Sequence, residues 1–103
     1  MPDLTELQGA IVAERQARGF TSDPVRLLAL IVEELGEVAR ELKGTWSPNY
    51  DQPSVDRLAP ELADLLVLLA ALASNFDIDL ASSVEKKFFE DDDLRRWPRA
   101  EHP

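Results

Sequence analysis

The chain has 103 residues, of which 45% are hydrophobic and 30% are charged, so we expect a single globular domain over residues 1–103. Its 20 acidic and 11 basic residues give a net charge of −9, which disfavours binding to nucleic-acid polymers or anionic membranes. It has no cysteine, and its single histidine, His102, lies next to the C-terminus. A bound metal would therefore take oxygen ligands, which points to Mg²⁺ or Mn²⁺.

The sequence contains neither a recognisable signal peptide nor a transmembrane segment. Its first six residues lack the basic start and apolar run of a signal peptide. The longest apolar run, residues 65–73, is far shorter than the ~20 residues that span a bilayer. We therefore expect a cytoplasmic protein with no membrane partner.

The spacing of the apolar residues predicts helices in the first half of the chain. The first helix begins near Leu4 and ends before Gly19. The second is expected to begin at Pro24, behind an Asp23 N-cap, and to end near Lys43. Residues 44–54 are rich in turn formers and predict a loop.

Two further helices are predicted in the second half. The third begins between Ser54 and Pro60 and ends near Ser74. The fourth, capped by Asp77 or Asp79, continues through residue 88 and fades in the acidic run 90–93, followed by an irregular tail. Four helices with short connections and no strand signal predict an all-α four-helix bundle.

The third helix is apolar on every side over residues 65–73, whereas a surface helix of a monomeric bundle keeps one polar face. Dimerisation or higher assembly through this helix would explain the pattern. The alternative is a central helix that its three neighbours cover.

Acidic residues border the apolar stripe of the second predicted helix. At about 100° per residue, one flank of this helix carries Glu33, Glu34, Glu37 and Glu41. Two pairs of these residues lie one turn apart, Glu33 with Glu37 and Glu37 with Glu41. Within each pair the two negative charges repel each other. A solvated charged face usually mixes the two signs, although pairs of glutamates are common on such faces.

The third helix repeats this feature, because Glu61 lies within its apolar stripe and Asp64 at the edge. No Lys or Arg lies between residues 60 and 74 to pair with them. The helix dipole would favour an acidic residue in the first turn after Pro60, but this explains only Glu61. A divalent cation shared by both helices would neutralise the whole cluster and offset the cost of burying carboxylates.

The acidic residues form two ordered motifs, Glu33-Glu34-x-x-Glu37 and Glu61-x-x-Asp64, separated by 23 residues. This arrangement resembles the MazG-type all-α nucleotide pyrophosphohydrolases, whose pattern is Glu-Glu-x-x-Glu, a spacer and Glu-x-x-Asp. The apolar segments that flank both motifs agree as well. The resemblance covers roughly residues 4–98.

The resemblance implies Mg²⁺-dependent hydrolysis of nucleoside triphosphates, above all deoxynucleoside triphosphates, to monophosphate and pyrophosphate. It implies a pool-balancing or house-cleaning role and a homodimer or homotetramer. The metal ligands that it implies are Glu33, Glu34, Glu37 and Asp64, while Glu61 would be a ligand or the base that positions water. The catalytic carboxylates would be those of Glu34, Glu37 and Glu61.

Substrate contacts are predicted outside the acidic motifs. Phosphate contacts are assigned to the basic residues near the end of the chain, which are Lys86, Lys87, Arg95 and Arg96. Trp46 and Tyr50 are candidates for stacking on the base, with loop anchoring as the alternative. This chain has Asp91 or Asp93 where the family has an asparagine, so its fourth-helix segment departs from the family pattern.

Two other functions fit the same residues. One is phosphoribosyl-ATP pyrophosphohydrolase of histidine biosynthesis, which usually has an aromatic-His pair just after its aspartate. Here Asp64 is followed by Leu65-Leu66, which disfavours that reading. The other is a non-catalytic helical interaction module whose acids bind only a metal or a basic partner.

Overall fold

The computed structural model describes residues 3–91 and shows four helices with no strand in that range. The helices are α1 (Leu4–Ala17), α2 (Pro24–Leu42), α3 (Val55–Ser74) and α4 (Leu80–Val84). A short 3₁₀ turn, Lys43–Thr45, follows α2, and a π-helical stretch, Glu85–Glu90, continues α4. The predicted all-α class is confirmed, whereas the predicted irregular tail lies outside the described residues.

The ends of the first two helices follow the predicted signals. Asp3 caps α1 by accepting a hydrogen bond from the Glu6 amide at 2.8 Å. Asp23 caps α2 in the same way through the Arg26 amide at 2.9 Å, and Pro24 occupies the first helical position. Gly19 has a φ of +72°, the left-handed conformation that commonly follows a helix end.

The second and third helices form an antiparallel pair around the core. Glu41 near the end of α2 contacts Arg57 near the start of α3, whereas Leu27 and Ile31 early in α2 share a buried cluster with Leu68 late in α3. Ala71 belongs to the same cluster, which Leu65 and Leu72 extend. This core fixes the two acidic motifs opposite each other.

A buried glutamine joins three helices at the other end of the molecule. The Gln8 side chain of α1 is only 6% exposed. Its amide nitrogen donates to the Ser74 hydroxyl at 3.0 Å and to the Ile78 carbonyl at 2.7 Å, and its oxygen accepts from the Leu80 amide at 2.9 Å. These hydrogen bonds satisfy the buried amide and hold the start of α4 against α1 and α3.

The fourth helix differs in part from its prediction. Asp79 occupies its N-cap position, while Asp77, the other predicted cap, has a positive φ of 55°. Asp79 accepts hydrogen bonds from the hydroxyls of Ser82 at 2.6 Å and Thr5 at 2.9 Å, and these bonds lower its pKa. The α-helical part ends at Val84, and the predicted remainder takes the wider π-helical register.

The third helix is covered on two sides. It packs against α2 and α1, while α4 packs against α1. On its remaining side Leu62, Leu66 and Leu69 are 48%, 37% and 40% exposed. Assembly through this helix is untested by the structure of one chain and stays a prediction. Within residues 3–91, no helix combines the length and apolarity that crossing a bilayer requires.

Candidate metal centre

The antiparallel pairing of α2 and α3 brings the two acidic motifs together. One carboxylate oxygen each from Glu34, Glu61 and Asp64 lies within 4.8 Å of the others. Glu34 and Glu61 are half-buried, because each belongs to the stripe where its helix faces the other, whereas Asp64 at the edge is exposed. Three negatively charged oxygens at this separation repel one another unless a cation or a proton lies between them.

Two oxygens of this cluster are buried and have no partner among residues 3–91. Glu34 Oε2 and Glu61 Oε2 are inaccessible to solvent and accept no hydrogen bond from this part of the chain. Buried polar atoms are normally hydrogen-bonded, because leaving one unsatisfied costs free energy. A hard cation with oxygen ligands would satisfy both atoms and neutralise their charge, so the donor set fits a divalent metal ion.

Glu37 lies beside this cluster, one turn after Glu34. Its pKa is raised, first by a hydrogen bond with Glu61 and then by the negative charge of the same residue. The charge of Asp64 raises it further, while a hydrogen bond with Glu34 acts in the opposite direction. Four carboxyl groups thus share one electrostatic site.

Glu33 is not part of this group of oxygens. Its side chain is exposed on α2, one position before Glu34 and about 100° around the helix from it. The structure therefore brings Glu34, Glu37, Glu61 and Asp64 together but leaves Glu33 apart. The predicted ligand and catalytic roles of all five residues remain untested.

The fourth carboxylate on the same flank of α2, that of Glu41, has a different environment. Arg57 Nε donates to Glu41 Oε1 at 3.0 Å and to Oε2 at 3.1 Å, and the Ser54 amide donates to Oε1 at 2.9 Å. These contacts, that of Arg57 first, lower the pKa of Glu41. Sequence reasoning missed this pair. The signal was present, because Arg57 lies one helical turn before Glu61 on the same face.

A cleft of about 810 Å³ lies next to the carboxylates, between the end of α2 and the start of α3. Its walls include Glu61 of the cluster and the adjacent Glu37, the basic residues Arg40 and Arg57, and Tyr50. The loop that closes one side is held where Gln52 Nε2 donates to the Gly44 carbonyl at 2.8 Å. Gly44 is required there, because a Cβ at this position would overlap the Asp51 backbone.

The predicted substrate-binding residues are not all at this cleft. Neither Lys86 nor Lys87 lines it, and the Lys86 ammonium lies 3.7 Å from the Asp91 carboxylate. Trp46 is 74% exposed and also lies outside the cleft lining, whereas Tyr50 is part of it. Arg95, Arg96 and Asp93 lie outside the described residues. The roles predicted for these residues stay predictions.

Comparison with known proteins identifies the family. The family model of the MazG nucleotide pyrophosphohydrolase domain matches residues 22–89, a range that contains both acidic motifs. The chain belongs to the MazG family. It is also similar to YpjD of Bacillus subtilis (strain 168), described as an uncharacterized protein, with 32% identity over 82 residues. That match covers 76% of this chain and 74% of the relative. No solved structure matches the chain significantly.

Proposed function

We propose that the protein hydrolyses nucleoside triphosphates, above all deoxynucleoside triphosphates, to monophosphate and pyrophosphate in a Mg²⁺-dependent reaction that Mn²⁺ also supports. The observation that carries this proposal is the cluster of Glu34, Glu61 and Asp64, with two buried carboxylate oxygens that lack a partner among the described residues. Membership of the MazG family adds the reaction class. The activity would balance or clean the cytoplasmic nucleotide pool.

The carboxylates divide into two tasks. Glu34, Glu61 and Asp64, together with the adjacent Glu37, would hold the metal through oxygen atoms. When bound, the ion would offset the negative charge of the phosphates and make water a better nucleophile. A carboxylate of Glu34, Glu37 or Glu61 that is not fully engaged as a ligand would orient the attacking water and accept its proton.

The bond to be cut is the one between the α- and β-phosphates. The cluster lies at one end of the cleft, so the reacting α-phosphate would lie against it while the β- and γ-phosphates extend along the cleft. Charged groups at both ends of the triphosphate would stabilise the charge on the attacking oxygen and on the leaving oxygen together. Pyrophosphate would therefore leave as one unit, and oxygen from water would be incorporated into the monophosphate.

The deciding experiment is hydrolysis of a nucleotide panel in ¹⁸O-labelled water, with and without Mg²⁺. We expect monophosphate that carries the label, together with unlabelled pyrophosphate. Label in pyrophosphate, or diphosphate and orthophosphate as products, would contradict attack on the α-phosphorus. Selective turnover of phosphoribosyl-ATP would favour the histidine-biosynthesis alternative, and no turnover of any nucleotide would favour the non-catalytic module.

We further propose that a second copy of the chain covers an exposed apolar face, defined as Leu28, Val32, Leu35 and Leu42 of α2 with Leu62, Leu66 and Leu69 of α3. Each of these residues is at least 37% exposed. Each of them comes one position after a residue that faces the other helix of the pair. In an antiparallel pair, these following positions turn toward the same side. Their three- and four-residue spacing is that of a coiled-coil seam.

The small core of the single chain supports this assembly. Apart from alanine, the buried hydrophobic residues among the described ones are Leu27, Ile31 and Leu68. So few large buried apolar side chains give the single chain little hydrophobic stabilisation, which burial of the apolar face would increase. A homodimer or homotetramer would bury the apolar face and leave the cleft accessible.

Sedimentation of the protein at micromolar concentration tests this assembly. We expect the wild-type chain to sediment as a dimer or tetramer and Leu66→Lys to sediment as a monomer or to aggregate. Ala13→Lys, on an exposed part of α1 outside the apolar face, is the matched control and should keep the wild-type state. A compact wild-type monomer would contradict the proposal.

A further inference from the structure

One basic residue of the cleft has no partner among the residues that the structure describes. Arg40 lines the cleft and is exposed, and within residues 3–91 its guanidinium forms no hydrogen bond or ion pair. It lies three residues after Glu37, so its side chain leaves the same side of α2 about one turn further from the acidic cluster.

The other arginine of the cleft is already engaged. Arg57 binds both carboxylate oxygens of Glu41 at 3.0 and 3.1 Å and donates to the Gln52 carbonyl at 2.6 Å. Its charge is therefore neutralised by Glu41, and its donors hold the loop. Among the described residues that line the cleft, Arg40 is the cation left to meet an incoming anion.

The charge of the cleft defines what this cation can do. Glu37 and Glu61 line one end, and a polyanion placed there would be repelled unless positive charge accompanied it. A guanidinium offers paired N–H donors whose geometry matches two phosphate oxygens, which a lysine cannot reproduce. A triphosphate whose α-phosphate lies at the carboxylates would extend its distal phosphates toward Arg40.

We propose that Arg40 binds the β- and γ-phosphates of the substrate, the part that leaves as pyrophosphate. This inference rests on the proposed function, because it takes the acidic cluster as the place of the α-phosphate. It assigns to α2 a phosphate contact that the sequence had suggested only for basic residues near the end of the chain. Arg40 would thereby discriminate triphosphates from monophosphates at the same cleft.

The test is calorimetric binding of α,β-imido deoxynucleoside triphosphates, which cannot be cleaved, and of the matching monophosphates, all in Mg²⁺. Arg40→Gln should weaken triphosphate binding about 10- to 100-fold, the scale of one charged hydrogen-bonded contact, and change monophosphate binding less than about twofold. Arg40→Lys should fall between the two, because it keeps the charge but loses the paired donors.

The control variant is Arg26→Gln, also on α2 and exposed but outside the cleft lining, and it should bind both ligands as the wild type does. Equal weakening of triphosphate and monophosphate binding in Arg40→Gln, or no weakening of either, would overturn the assignment of Arg40. A wild-type protein that binds none of the α,β-imido deoxynucleoside triphosphates would instead overturn the proposed function. The two failures are therefore distinguishable.

Discussion

Glu37 and Glu41 lie one turn apart on the same flank of α2, yet their surroundings are opposite. Glu37 faces other acids, and its pKa is raised by a hydrogen bond with Glu61 and by repulsion from the same residue. Glu41 faces Arg57 and the Ser54 amide, and its pKa is lowered. The two carboxylates are equal in the sequence and differ only in what α3 places opposite them.

This difference separates Glu41, which stabilises the fold through a positively charged partner, from Glu37, which has acidic neighbours. Glu41 has its partner within the chain and fixes the start of α3 and the adjoining loop. In the described part of the chain, no Lys or Arg is paired with the group formed by Glu37, Glu34, Glu61 and Asp64. A chain that keeps such a cluster loses stability in the absence of a ligand, which is a common feature of functional sites.

The largest effect should come from removing one charge of the cluster. Asp64→Asn and Glu34→Gln should each lower turnover of the preferred nucleotide by about 10²-fold or more, because each removes an electrostatic group at the reacting phosphate. Steady-state kinetics would measure this loss. Glu14→Gln, an exposed glutamate on α1, is the control. Full activity of Asp64→Asn would contradict the metal-site assignment.

The stabilisation that Mg²⁺ gives should depend on the Glu37 carboxylate and not on the Glu41 carboxylate. Mg²⁺ at ten times its dissociation constant should stabilise the wild type by about 1.4 kcal/mol, because it binds only the folded state. For a domain of this size this is roughly 6–11 °C in Tm. Thermal melts with Mg²⁺ and with EDTA should show the shift in Glu41→Gln but not in Glu37→Gln. An equal shift in both variants would remove the distinction.

Without metal, the same two substitutions should shift the Tm in opposite directions. Glu37→Gln removes repulsion within the cluster and should raise the Tm in EDTA by a few degrees. Glu41→Gln removes the charge that pairs with Arg57 and should lower it by a similar amount. Melting curves in EDTA at neutral pH test this inversion. A decrease for both variants would show that Glu37 stabilises the metal-free fold.

The smallest effect concerns pH. Because the pKa of Glu41 is lowered from 4.5 in the folded state, its contribution is present above pH 4.5 and is lost as the pH falls through the folded pKa. The free energy of unfolding should thus differ between wild type and Glu41→Gln at about pH 7 and converge toward about pH 3. Urea denaturation at both pH values measures the difference. The lowered pKa of Asp79 is common to both proteins and cancels.

Much of the fold was predictable because its signals are local. The Asp23-Pro24 start of α2 and the Gly19 turn depend on a few neighbouring residues, and helical geometry alone placed Glu61 within the stripe that faces α2. The Glu41–Arg57 pair and the contact of Gly44 with Asp51 depend on how separate segments pack. No periodicity encodes such distances, so the cleft and its two arginines were not foreseen.

Local sequence patterns do not predict which side of α3 is exposed or which helical register follows α4. The apolar character of α3 was evident in the sequence, but which of its sides would remain exposed depended on the positions of α1 and α2. The π-helical register after Val84 had no sequence signal that we can identify.

The Gln8 hydrogen bonds have a consequence for where the domain can be cut. The family match begins at residue 22, so α1 lies outside it, yet Gln8 of α1 binds the backbone at Ile78 and Leu80. Even with its π-helical continuation to Glu90, α4 is shorter than the ~12–15 residues that an isolated helix needs to persist in water. A chain trimmed to the matched range would leave α4 without its support. The range of the family match and the set of helices that support α4 therefore have different boundaries.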